Sequence, residues 1–88
     1  MLRPWQIHFR IDEREEKTVF LKLTNLISQE ILSGRLVQST MLPGSRSLSK
    51  ELGINRKTVQ AVYEELEAQG WLVTRPRKGT FVADVLPE

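Results

Sequence analysis

The sequence has no cysteine, a single histidine, and no apolar run approaching the roughly 20 residues needed to cross a bilayer. The missing cysteines exclude a disulfide framework, a thiolate zinc site and a cysteine nucleophile together, so stability must come from packing. His8 has neither a cysteine nor a second histidine with which to complete a metal site or a proton relay. No Ser/His/Asp set and no glycine-rich phosphate loop appears either, which makes an enzyme the weakest functional class. The start, Met1-Leu2-Arg3-Pro4-Trp5-Gln6, lacks the apolar stretch and cleavage site of a signal peptide. A soluble, cytoplasmic protein without membrane partners is therefore expected. Charge of one sign is also scarce: 13 Lys+Arg against 11 Asp+Glu leave a net +2. Such a total says little about polyanion binding, so the positions of the charges must decide.

What is present is one small domain. Eighty-eight residues, 40% hydrophobic and 27% charged, match an ordinary globular composition and suffice for a single core. Residues 1–17 read as an N-terminal arm: Ile7, Phe9 and Ile11 alternate with His8, Arg10 and Asp12 in the period of a half-buried strand, and a charged run follows. That arm, with Trp5, suits packing on the first helix, pairing with the hairpin, or a dimer contact. From Thr18 the period changes. Val19, Phe20, Leu23, Leu26, Ile27, Ile31 and Leu32 recur at three and four residues, which predicts a helix over about 18–33, capped by Thr18 and ended by Gly34. Residues 35–44 have no sustained period and predict a connecting loop pinned by Leu36 and Leu42.

Leu48 and Leu52 predict a short second helix over 45–52, and Gly53-Ile54-Asn55 a tight turn. Asn55 is a good cap for a third helix, 56–69, with Val59, Val62, Tyr63 and Leu66 at i, i+3, i+4 and i+7. Residues 71–74 and 80–83 predict two strands joined by Arg75-Pro76-Arg77-Lys78-Gly79, and 84–88 a terminus or the start of a linker. This order, mainly α with a small β-hairpin, is that of a winged helix-turn-helix over 18–83.

In that architecture the second helix of the pair offers the outward residues of its first turns to base edges in the major groove. With its apolar positions turned inward, the third helix presents Arg56, Lys57 and Gln60, with Thr58 beside them, near the positive end of its dipole. Glu64, Glu65 and Glu67 follow later and would repel phosphates, so only the first two turns should enter a groove. Arg46 and Lys50 share a face of the second helix, while Arg75, Arg77 and Lys78 crowd the hairpin tip. Four to six phosphate pairs from this set imply a slope of log K against log[salt] of about −4 to −5. Tyr63 and Trp71 fit the core better than a base-stacking role. A winged helix used for protein interaction or RNA binding is the alternative, but such a module has no reason to gather these cations on one face.

Four ordered segments carry a resemblance. They are Ile31-Leu32-Ser33-Gly34-Arg35-Leu36, Leu42-Pro43-Gly44-Ser45-Arg46-Ser47-Leu48, the run from Asn55 through Tyr63-Glu64-Glu65-Leu66-Glu67 to Leu72, and Lys78-Gly79-Thr80-Phe81-Val82. Together they closely resemble the DNA-binding domain of the GntR family of bacterial repressors, over about 19–83. Ser45-Arg46 after Leu-Pro, and Tyr63 before Glu-Glu-Leu-Glu, look most like the MocR branch, with the YtrA branch second. The resemblance implies a homodimeric regulator that binds double-stranded operator DNA. Residues matching Arg46, Arg56, Thr58 and Gln60 would contact the major groove, and Gly79 would let the wing backbone near the minor groove. The full DNA-facing set expected is Arg46, Asn55, Arg56, Lys57, Thr58, Gln60, Arg77, Lys78, Gly79 and Thr80. No metal is expected.

Three positions depart from the family pattern. Gly44 stands in place of a capping Ser, Asn55 in place of the more usual Ser, and Pro76 stiffens the wing. Members of the MocR branch carry a C-terminal aminotransferase-like domain that would hold pyridoxal phosphate. No such effector-binding domain fits in this chain, which is then expected to be either the reading head of a longer regulator, cut near its linker, or a member of another branch of the family.

Overall fold

The computed structural model describes residues 16–87, so the strand-like arm expected over Trp5 to Ile11 lies outside the described residues. Three helices, α1 (Glu16–Leu32), α2 (Ser45–Leu52) and α3 (Arg56–Ala68), are followed by strands β1 (Leu72–Arg75) and β2 (Gly79–Val82). The winged helix-turn-helix expected from the sequence is the fold observed.

Helix α1 already includes Glu16 and Lys17, which puts Thr18 inside the helix rather than at the cap. Its buried stripe is Val19, Leu23, Ile27 and Ile31, as the period predicts, but Leu32 is 59% exposed because it falls off that stripe. Helix α3 closes the core from the other side with Val59, Val62 and Leu66 fully buried, and it packs against both α1 and α2. Leu48, Leu36, Leu42, Leu72 and Val82 complete one contiguous apolar cluster. Eight residues of α2 are too few to be stable alone. Leu48 and the buried face of α3 hold that helix in place.

The turn between α2 and α3 depends on Gly53, whose φ of 68° is left-handed and whose N–H returns to the Ser49 carbonyl. Nothing lies near the position its Cβ would take, so the requirement for glycine is one of backbone conformation alone. The next residue, Ile54, also donates its N–H to Ser49, at 3.0 Å. Two residues on from Gly53, Asn55 caps α3 by accepting the Lys57 N–H at 2.8 Å. Gly44, which has no side chain to offer, leaves α2 without a side-chain cap. At the far end of α3, Gly70 and Trp71 donate back to Glu67 and Leu66, and the chain turns directly into the hairpin.

The two strands pair antiparallel with Leu72 opposite Val82 and Arg75 opposite Gly79. The strands are shifted by one residue from the expected 71–74 and 80–83, so Trp71 and Ala83 lie just outside them. The expected loop over 35–44 is more ordered than its sequence suggests. Thr40 and Leu42 bond β2 on its free side, through Val82 N–H to Thr40 and Leu42 N–H to Thr80 at 2.9 and 2.8 Å, with Met41 bridging Phe81. Only three residues pair, too short a stretch for strand alternation to be visible in the sequence.

At the tip, the Lys78 N–H donates to the Arg75 carbonyl at 3.0 Å, closing a four-residue turn. Pro76 presets the first central position, and Arg77 takes the second with a φ of 65°. That left-handed value costs a side-chain-bearing residue about 1 to 2 kcal/mol, whereas glycine's extra freedom in the unfolded chain costs about 0.5 to 1. The difference favours glycine. Arg77→Gly is therefore expected to stabilise the fold by about 0.5 to 1 kcal/mol, a rise of a few degrees in Tm by calorimetry.

Tyr63 supplies the other local constraint. Its hydroxyl donates to the Pro43 carbonyl at 2.7 Å, tying α3 to the turn that launches α2. Burial, reinforced by the charge of Glu51, pushes its ionisation well above the ordinary range, so the hydroxyl keeps its proton and remains a donor. Tyr63→Phe strands that carbonyl and is expected to cost about 1 kcal/mol in urea denaturation with an unchanged m-value.

Candidate nucleic-acid interface

The burial of Val59, Val62, Tyr63 and Leu66 dictates what α3 shows to solvent. Arg56, Lys57 and Gln60 are exposed in the first two turns, and Glu64 and Glu67 follow on the outer side. The first turn contains no acidic residue, so the positive end of the helix dipole and two cations act together. An anion approaching that end meets attraction; one approaching the far end meets carboxylates.

Arg46 is exposed at the second position of α2. The two helices meet where the Arg56 Nε lies 3.5 Å from the Ser45 Oγ, so the start of α2 and the start of α3 form one surface. Ser45 entered the sequence reading as a family marker but not as a DNA-facing residue, since a contact spanning eleven residues between two helices leaves no periodic signal. Among the described residues, Arg35 and Arg75 are the cations held in ion pairs, with Glu30 and Asp84. Arg46, Arg56, Lys57, Arg77 and Lys78 meet no such partner there, and all five are exposed.

The other expected residues divide. Asn55 is exposed, but its side-chain oxygen is already engaged in capping, which leaves the amide nitrogen for an outside acceptor. Thr58 is half-buried beside the exposed stripe. Gly79 is exposed with a φ of 124°, and a Cβ there would sit 3.7 Å from the Met41 sulfur. Thr80 is half-buried within the sheet, and its carbonyl accepts the Leu42 N–H, so it is built into the wing more than displayed on it.

Arg75 corrects an expectation. It ends β1 at the first position of the tip turn but is not free there: its guanidinium lies 5.3 Å from the Phe81 ring centre, and Asp84 pairs with it at 3.6 Å. Arg77 and Lys78 are the tip cations without such a partner among the described residues. The segment after the hairpin is likewise more than a loose end, because Leu86 packs on the core cluster.

The described residues contain no cluster of His, Asp and Glu able to hold a metal, and no helix among them is long and apolar enough to cross a membrane. A pyridoxal phosphate site needs an enclosed lysine, and every lysine among the described residues is exposed. These residues do not fit that cofactor.

Comparison with known proteins agrees with this geometry. Residues 21–82 match the bacterial regulatory proteins of the gntR family. The chain is 35% identical over 78 residues to the probable rhizopine catabolism regulatory protein MocR of Rhizobium meliloti, covering 89% of this chain but 16% of that protein. Among solved structures it resembles YtrA from Sulfolobus acidocaldarius, a GntR-family transcription factor, with a TM-score of 0.76, 27% identity, and 88% of this chain and 81% of that one covered. It also resembles AraR(DBD) in complex with operator ORE1, with a TM-score of 0.68, 25% identity, and 85% and 84% covered. The chain belongs to the gntR family of bacterial regulatory proteins, as a winged-helix DNA-binding domain.

Proposed function

We propose that this domain recognises a specific operator duplex, with the start of α3 in the major groove and the wing tip reaching toward the minor groove. The observation that carries this is the joining of Arg56, Lys57 and Gln60 on α3 with Arg46 on α2, all exposed and without carboxylate partners among the described residues. Arg46 and Arg56 project from helices and are placed to read base edges, while Arg77 and Lys78 project from a turn and neutralise phosphates. The same faces argue against a module for protein interaction or RNA, because the outward start of a single helix is shaped for the major groove of B-form DNA.

The proposal extends to the rest of the regulator. The domain acts as one half of a homodimer in the cytoplasm, it works by binding rather than turnover, and an effector-binding domain belongs to the whole protein. The likeness to MocR agrees with the resemblance to that branch, which implies an aminotransferase-like effector domain. Pyridoxal phosphate, on that view, would be held there and not by the residues described above.

Binding to a duplex selected from a random pool, compared with a scrambled duplex, tests the assignment of roles. Arg46→Ala and Arg56→Ala are each expected to cost about 1 to 3 kcal/mol on the selected duplex and less on the scrambled one, whereas Lys78→Ala weakens both alike and flattens the salt slope by about one unit. Equal losses for the two arginines on both duplexes would reduce them to phosphate contacts. Tight binding to an RNA stem or a protein, with no preference among DNA duplexes, would replace the proposal. Dimeric reading predicts protection of two half-sites at saturation, spaced about one helical turn or less, in a hydroxyl-radical footprint of the full-length regulator. A single protected half-site would contradict it.

A further inference from the structure

The carboxylate of Asp84 is divided between two partners. Ser39 donates its hydroxyl to Oδ1, and Arg75 Nη2 lies 3.6 Å from Oδ2. Gln38 fixes the same residue by its main chain, donating Nε2 to the Asp84 carbonyl at 2.8 Å. Residues 38 and 39 lie just before the segment that pairs with β2, and Ser39 N–H donates to the Val82 carbonyl at 3.0 Å, so the holder of Asp84 is itself tied to β2. Arg75 is flanked in turn by the Phe81 ring. One cation at the tip end of β1 is thus occupied from within the chain, whereas Arg77 and Lys78 beside it have no such partner among the described residues.

We propose that Asp84 is a positioning residue that withholds Arg75 from the DNA backbone, so that a residue just beyond the hairpin sets how many wing cations are available to phosphate. This rests on the DNA-binding function proposed above. The pair is exposed on both sides, 50% for the Arg75 side chain and 61% for that of Asp84, so it is weak and can be exchanged. A phosphate is the kind of anion that competes for the same guanidinium. The chain beyond Asp84 is laid back onto the domain, with Leu86 on the core and Pro87 against Gly70. Lifting that tail would carry Asp84 away from Arg75 and free the guanidinium.

The test compares the 88-residue chain with its Asp84→Asn, Arg75→Gln and doubly substituted forms, by fluorescence anisotropy on one labelled duplex across a salt series. Asp84→Asn is expected to bind several-fold tighter at low salt with a slope steeper by about 0.9, one added phosphate contact. In the Arg75→Gln background the same substitution is expected to change neither quantity. An equal gain in both backgrounds would overturn the proposal, since Asp84 would then act as a bare negative charge near DNA, and so would no gain in either. Without DNA, the Arg75 Nε–H resonance is expected to shift in Asp84→Asn, and an unshifted signal would overturn the pairing itself. Failure of the unsubstituted chain to bind any duplex would sink the functional proposal along with this one, whereas normal binding with indifferent Asp84 variants would sink this one alone.

Discussion

Everything this domain presents to a partner depends on one constraint, the burial of Val59, Val62 and Leu66 between α1 and α2. A helix with three fully buried positions has no rotational freedom: turning it by one residue moves the outward stripe by about 100° and exposes apolar surface worth roughly 1.5 to 3 kcal/mol per side chain. Arg56, Lys57 and Gln60 face outward because those three residues cannot. The side chains that would touch DNA contribute nothing to this placement. They inherit their geometry from a core built of other residues.

A second layer of restraint acts at the ends of the elements. Asn55 fixes where α3 begins, Gly53 sets the angle at which it leaves α2, and Tyr63 ties the middle of α3 back to Pro43 at the entry to α2. These contacts are local and polar, and each acts on a helix terminus, the part of a helix most prone to fray. The wing is restrained differently. Because residues 40–42 bond the outer side of β2, the hairpin is the far part of a sheet anchored between α1 and α2, not an isolated ribbon, which alone would be marginally stable. The tip is therefore held at a fixed height relative to the helix pair.

The helix order, the inward stripe and the cap at Asn55 were legible in the sequence, because each is a signal within one element. Apolar spacing at three and four residues survives in the chain whatever it packs against, as Leu23, Ile27 and Ile31 show. What was not legible joins residues distant in sequence. Leu32 continued the apolar pattern but fell off its face, which a spacing that tolerates both three and four does not resolve. Arg75 looked like its neighbours Arg77 and Lys78, and only the contacts with Asp84 and Phe81 separate it from them. The pairing of 40–42 with β2, the Ser45 contact to Arg56 and the reach of Gln38 and Ser39 to Asp84 span between 11 and 46 positions, and no local pattern encodes them. The exposed cations could thus be named from the chain, while the contacts that aim or occupy them could not.

The distribution of ion pairs follows from the same separation of roles. An exposed ion pair adds at most about 1 kcal/mol to stability, so leaving Arg46, Arg56, Lys57, Arg77 and Lys78 without partners among the described residues costs the fold little. The same omission matters far more for binding, because an internal carboxylate must be displaced before a phosphate can take its place. Arg35 is paired where its partner Glu30 is buried and in need of a counter-charge, on α1 and remote in sequence from the helix pair. Arg75 is the exception: a wing cation with a partner, held by a residue that stabilises nothing in the core. A pair too weak to matter for folding, at a position where an unpaired charge would matter for binding, makes sense chiefly as a control on the number of charges offered. The net +2 of the chain hides this arrangement, since a single total counts Arg75 and Asp84 as cancelling whether or not they touch.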